Sequence, residues 1–139
     1  MGKHFYLALL AFLRHAVADV EPFINDARFD AGDYGTYPTK TYHSSKNVSP
    51  RMNMLSMNEQ CRDGAYTMLT PRGGQVPKGV AAGPIILDDA GDLIWTQIGW
   101  GSGNTYGLTV QEFKGKDYLT FWAGDDTVRG HGEGVSYMV

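Results

Sequence analysis

From Cys61 to Val139 the chain alternates short apolar runs with clusters of glycine, proline, aspartate and asparagine. Runs of this length with β-branched and aromatic residues, bounded by turn formers, predict strands. They fall at Ala65–Thr70, Pro84–Asp88, Asp92–Ile98, Tyr106–Phe113 and Tyr118–Trp122, with a further strand beginning in "VSYMV". The segment "GPIILDDAGDLIW", residues 83–95, predicts a hairpin reversing at Asp88–Asp92. A buried helix is the competing reading. Gly83, Pro84 and Gly91 break the stretch before a few helical turns could form. "YGLTVQEFKGKDYLTFW" predicts a second hairpin, turning at "KGK". Trp122 directly follows Phe121, so the two must point to opposite faces of their strand.

Ahead of this region, residues 19–60 mix aromatics with Gly, Pro, Asp, Ser and Asn and lack a clear period. They predict an irregular leader with one short strand near Thr39–His43 and a helical turn around Pro22–Arg28. Short strands at regular spacing, with no helical pattern between them, predict an all-β protein. Successive hairpins resemble the inner pieces of propeller blades. The expectation is a partial β-propeller of about two to three blades over residues 61–139, preceded by the leader. A small sandwich is the alternative. An open set of blades leaves sheet edges unpaired, which predicts self-association.

The N-terminus reads differently. "MGKH" is a short basic head, "FYLALLAFL" an apolar run, and Ala16 and Ala18 flank Val17 in a small-x-small pattern. Residues 1–18 therefore predict a secretory signal peptide cleaved after Ala18, too short in its apolar part for lasting membrane insertion. A first helix packed on the domain is the alternative. Cleavage would remove Lys3 and Arg14 and leave 10 basic against 15 acidic side chains, a net charge of −5. The intact chain of 139 residues carries −3, so neither form offers the basic surface that nucleic acid requires. A single cysteine, Cys61, excludes an internal disulfide; it is a buried small hydrophobe or a free thiol. Asn47-Val48-Ser49 has the form of an N-glycosylation acceptor, although Pro50 follows it.

Three later segments, "GVAAGPIILDDAGDLIW", "YGLTVQEFKGKDYLTFWAG" and "GHGEGVSYMV", resemble the opening part of the fungal branch of the arylsulfotransferase family. "FDAGDYGTYPTKTYHSSKNVSPRMNML" ahead of "DGAYTMLTPRG" is similar to the lead-in of the same proteins. The resemblance implies a secreted β-propeller relative of enzymes that move a sulfuryl group from an aryl sulfate to a phenol. It also implies phenolic or aryl sulfate small molecules as partners of a full-length relative. The family's nucleophilic histidine belongs to later blades, and no segment here matches it. The chain therefore reads as roughly the first third of such a protein, expected to be inactive alone. The alternative is a non-catalytic secreted β-domain for binding or self-association.

Beyond residue 18 the histidines are His43 and His131. His131 in "RGHGEG", with Arg129 beside it, is the one candidate pair for sulfuryl chemistry: a nucleophile and a cation in a glycine-rich loop. A solvent-facing loop histidine is the plainer reading, and His43 reads as a structural or surface residue. Asp88, Asp89, Asp92, Asp125 and Asp126 read as turn acids rather than a calcium loop. No metal, cofactor or phosphate-loop pattern is present in the sequence. Trp95, Phe121 and Trp122 read as packing residues in preference to a sugar- or phenol-binding surface.

Overall fold

The computed structural model describes residues 23–24, 27–33, 35–53, 55–56, 58–73, 76–77, 83–97, 99, 104–130 and 132–139. These form ten strands. β1 (Phe23–Ile24) pairs in parallel with β4 (Met52–Asn53), and β2 (Thr39–Thr41) pairs antiparallel with β3 (Val48–Pro50). β5 (Thr67–Leu69), β6 (Ile85–Leu87) and β7 (Leu93–Thr96) make one three-stranded antiparallel sheet with β6 in the centre. β8 (Asn104–Phe113), β9 (Lys116–Asp125) and β10 (Glu133–Met138) make a second, with β9 in the centre. A helical turn at Ala27–Asp30 follows β1, partly inside the stretch where the sequence predicts one.

Both hairpins form where the pattern places them. At Asp88–Asp92 the Asp88 carboxylate accepts the backbone N–H of Ala90 at 2.9 Å and of Asp92 at 2.8 Å, and Gly91 takes φ +79°. Asp88 thus supplies the acceptor for two turn amides. Its strand partner β6 is the centre of the core: Ile85 and Leu87 are each 1% exposed, and Ile86 between them is also buried. Full burial of such side chains contributes roughly 1.5–3 kcal/mol each. In the second hairpin Lys114 (φ 52°) and Gly115 (φ 71°) both lie in the left-handed region between the paired Phe113 and Lys116. Two positive φ values define the type I′ turn, whose twist matches the strands. Lys114 is the strained residue, since a side chain disfavours that conformation. Lys114→Gly is expected to raise stability by about 1 kcal/mol, measured by urea unfolding at unchanged m-value.

The leader docks on the first hairpin through specific polar contacts. Lys40 on β2 is 2% exposed and its ammonium pairs with the Asp92 carboxylate in the β6–β7 turn. The Tyr42 hydroxyl lies 2.8 Å from Ser49 Oγ and accepts the Leu93 backbone N–H at 2.9 Å. Arg62 reaches the same turn from the other side, donating to Asp89 Oδ2 through Nε at 3.2 Å and Nη2 at 3.0 Å. Acidic turn residues therefore attach the polar leader to the hairpin.

The partial propeller is not what these strands build. The fold is all-β, but its three antiparallel sheets have two or three strands each and remain separate, with none closed into a barrel or propeller. The further strand expected in "VSYMV" is β10, which begins two residues earlier at Glu133 and returns along β9 as the third strand of the same sheet. β8 and β9 are ten residues each, longer at both ends of β9 than the alternation indicates, so one hairpin dominates this sheet. Alternation specifies which face of a strand is buried; it carries no information on how one sheet sits against the next. β3 was hidden in the leader because Val48-Ser49-Pro50 is short, polar and ends in proline.

Candidate functional site

Register in the β8–β9–β10 sheet places alternate residues on one face: Trp122 with Tyr106 and Ser136, Thr120 with Thr109 and Met138, and Tyr118 with Gln111. The spacing on β8 is irregular. Tyr106 and Thr109 are three residues apart, yet oppose Trp122 and Thr120, which are two apart. The extra residue is a β-bulge, with Gly107 at φ +65°. It bends β8 and returns Thr109 to the face that Tyr106 occupies. The result is a hollow of about 450 Å³ on that face, bounded by Trp122, Tyr106 and Met138 and lined between them by Thr109, Gln111, Thr120 and Ser136. Among the described residues no charged side chain lines it.

Trp122 is held by glycines. A β-carbon on Gly134 would lie 2.5 Å from Trp122 Cε2, one on Gly124 would lie 2.8 Å from Cζ2, and one on Gly132 (φ +70°) 3.4 Å from Cη2. Gly124 and Gly134 are paired across β9 and β10. The indole covers a patch of bare backbone made by these residues, as aromatic side chains do over strand glycines. This accounts for Gly132 and Gly134 of "RGHGEG" without a ligand; Gly130, with open space around it, is set by its φ of +106°. The same packing also answers what Trp122 covers: its own sheet rather than a neighbouring blade. Phe121 points the opposite way, as alternation requires; it is 3% exposed and stacks on Tyr137 with centroids 5.4 Å apart.

Tyr106 is fixed from several sides. Its ring meets Trp122 edge-to-face at 5.5 Å and 63°, and the Arg72 guanidinium sits 4.2 Å above its centroid. Its hydroxyl donates to Asp126, which also accepts Asn104 Nδ2 at 3.0 Å. The Tyr106 hydroxyl first, and then the Asn104 amide, hold the Asp126 carboxyl below the ordinary carboxylate range. Asp125 is lowered as well, by the hydroxyl and then the amide of Thr127, at 2.7 and 2.8 Å. Arg72 also borders a second hollow of about 390 Å³ with Arg51 and Tyr37. The Tyr37 hydroxyl is buried without a partner among the described residues, and burial raises its pKa.

The residues singled out from sequence fare unevenly. His131 lies outside the described residues, and Arg129 is exposed in the β9–β10 loop. His43 is exposed just beyond β2. Asn47 is half-buried in the β2–β3 connection, its backbone N–H donating to Ser45 Oγ at 3.1 Å. Cys61 is exposed at the end of a helical turn, so the buried small-hydrophobe reading is not met. All five aspartates engage turn amides, cations or hydroxyls. Thr109 and Gln111 were missed because the bulge sets their face, and Ser136 because its place depends on the β9–β10 register; Thr120, two residues before Trp122, shares its face by strand period alone. Trp122 did stand out, as a packing aromatic; Tyr106 was placed only at the start of its strand.

Among the described residues no helix is long and apolar enough to cross a membrane. No family model, no curated protein and no solved structure matches this chain. With open sheets and no matching relative, the expectations of a propeller and of a transferase have no support. The predicted signal segment lies outside the described residues.

Proposed function

We propose that the chain is a non-catalytic, secreted β-domain that self-associates through the open edge of β10. The observation that carries this reading is the state of that edge. Among the described residues β10 pairs only with β9, in unbroken register from Glu133 to Met138. Val139 continues the ladder through two bonds of 2.9 Å to Leu119. Residues exchanging both bonds alternate along an antiparallel pair. If Val139 is such a residue, then Tyr137, Val135 and Glu133 also face β9. Gly134, Ser136 and Met138 direct their N–H and C=O groups outward. Exposed Val135 (58%), Met138 (50%) and Val139 (44%) flank these groups.

Edges that must stay single are blunted by charge, proline or a bulge. β8 has a bulge and carries Glu112, with Lys114 in the turn beyond it. β10 has one charge, Glu133, at its start. A second copy pairing β10 antiparallel to β10 closes with two-fold symmetry and satisfies both edges. The basic head, apolar run and small-x-small pattern of residues 1–18 support a secreted origin for such a domain and contribute nothing to the edge argument.

Sedimentation velocity over a concentration series is expected to show a monomer–dimer equilibrium. Ser136→Pro removes an outward N–H while leaving the β9 ladder intact. It is expected to yield a monomer with an unchanged far-UV spectrum. A wild-type chain that stays monomeric at about 1 mM, the weak limit for a specific pair, refutes the proposal. So does a Ser136→Pro dimer of undiminished affinity.

A further inference from the structure

We infer that the hollow on the β8–β9–β10 sheet is a binding site for a neutral carbohydrate. The lining decides the class. A ligand carrying charge would need an opposite charge to replace its water, and among the described residues none lines the hollow. A purely apolar ligand would strip water from Thr109, Gln111, Thr120 and Ser136 without replacing their hydrogen bonds. A pyranose presents both surfaces at once: a ring of hydroxyls that donate and accept, and C–H faces that pack on aromatic rings.

The polar groups have capacity to spare. The Gln111 and Ser136 side chains make no hydrogen bond to another described residue. Thr120 Oγ1 and Thr109 Oγ1 donate only at 3.5 Å, to the carbonyls of Thr109 and Val110. Both hydroxyls and the Gln111 amide therefore exchange water for sugar hydroxyls at little cost. The aromatic end is pre-ordered. Trp122 is wedged over Gly124 and Gly134, and Tyr106 is clamped by Trp122, Arg72 and Asp126. Rigid rings lose little freedom when a ligand packs on them. The volume of about 450 Å³ is sufficient for one or two sugar units.

The test is heteronuclear NMR on the full secreted chain at fixed protein concentration. Neutral oligosaccharides of the β-glucan, xylan, mannan and chitin types are titrated separately, with a heparin oligosaccharide as the anionic control. At least one neutral oligosaccharide is expected to give saturable shifts of the Gln111 side-chain amide, the Thr120 amide and the Trp122 indole N–H, and heparin none. Thr120→Val with Gln111→Ala changes partly exposed groups outside the core, and is expected to weaken binding by about tenfold or more with spectral dispersion retained. Association through β10 is read separately, as shifts of Gly134, Ser136 and Met138 amides that follow protein concentration. Three results overturn the inference: no saturable shift in the hollow with any neutral oligosaccharide at about 10 mM, heparin binding there instead, or undiminished affinity in the double variant.

Discussion

Gly134→Ala is expected to destabilise the β8–β9–β10 sheet by about 3 kcal/mol or more, at the upper end for a single overpacking change. The added methyl would meet Trp122 Cε2 at 2.5 Å and the Ala123 carbonyl oxygen at 2.5 Å. The indole can move, although only by giving up its cover over Gly124 and its edge contact with Tyr106. The carbonyl cannot move without disturbing the β9–β10 ladder. Two-state urea unfolding, followed by tryptophan fluorescence and circular dichroism, measures the loss. A cycle with Trp122→Ala separates the two collisions. If the ring is the main obstacle, Gly134→Ala costs much less in the Trp122→Ala background; an equal cost assigns the strain to the backbone. A wild-type midpoint for Gly134→Ala would show that the indole does not lie over the glycine pair.

Asp92→Asn is expected to cost about 3 kcal/mol, the lower end of the range for breaking a buried ion pair by removing one partner. Lys40 is 2% exposed, so its ammonium has almost no water to turn to once the carboxylate is gone. Asp92 is itself 42% exposed, which keeps the expected loss from the top of that range. The reverse change is milder. Lys40→Met removes the desolvated charge and leaves Asp92 able to hydrate, so a loss below about 1.5 kcal/mol is expected from the near-equal volume. The asymmetry between the two variants is the diagnostic result. Equal and small losses would mean that the Lys40 ammonium reaches solvent and that the leader does not depend on this contact.

The local elements were legible in the sequence because their causes are local. Asp88 and Gly91 determine one reversal and Lys114-Gly115 the other, and the apolar spacing of "PIIL" and "YLTFW" marks the strands between them. Adjacent Phe121 and Trp122 had to face opposite ways, because the strand period is two. The pairing of the two hairpins with the remaining strands was not legible. Whether β10 returned along β9 or started another unit depends on the free energy of one edge against another, and the sequence of β10 reads the same in both cases. The single inserted residue near Gly107 was invisible within an alternating run, yet it determines which of Leu108 and Thr109 joins Tyr106. The glycines of "RGHGEG" read as a glycine-rich loop around His131, and the fold lays Trp122 against two of them, Gly132 and Gly134. By itself, then, the sequence determined an all-β chain with two defined hairpins. Tertiary structure alone decided that β10 joins the second sheet as an edge strand, that the bulge gathers Tyr106, Thr109, Thr120 and Trp122 around one hollow, and that Lys40 meets Asp92. Turns and strand faces follow from contacts a few residues apart, whereas these features depend on groups brought together across the chain.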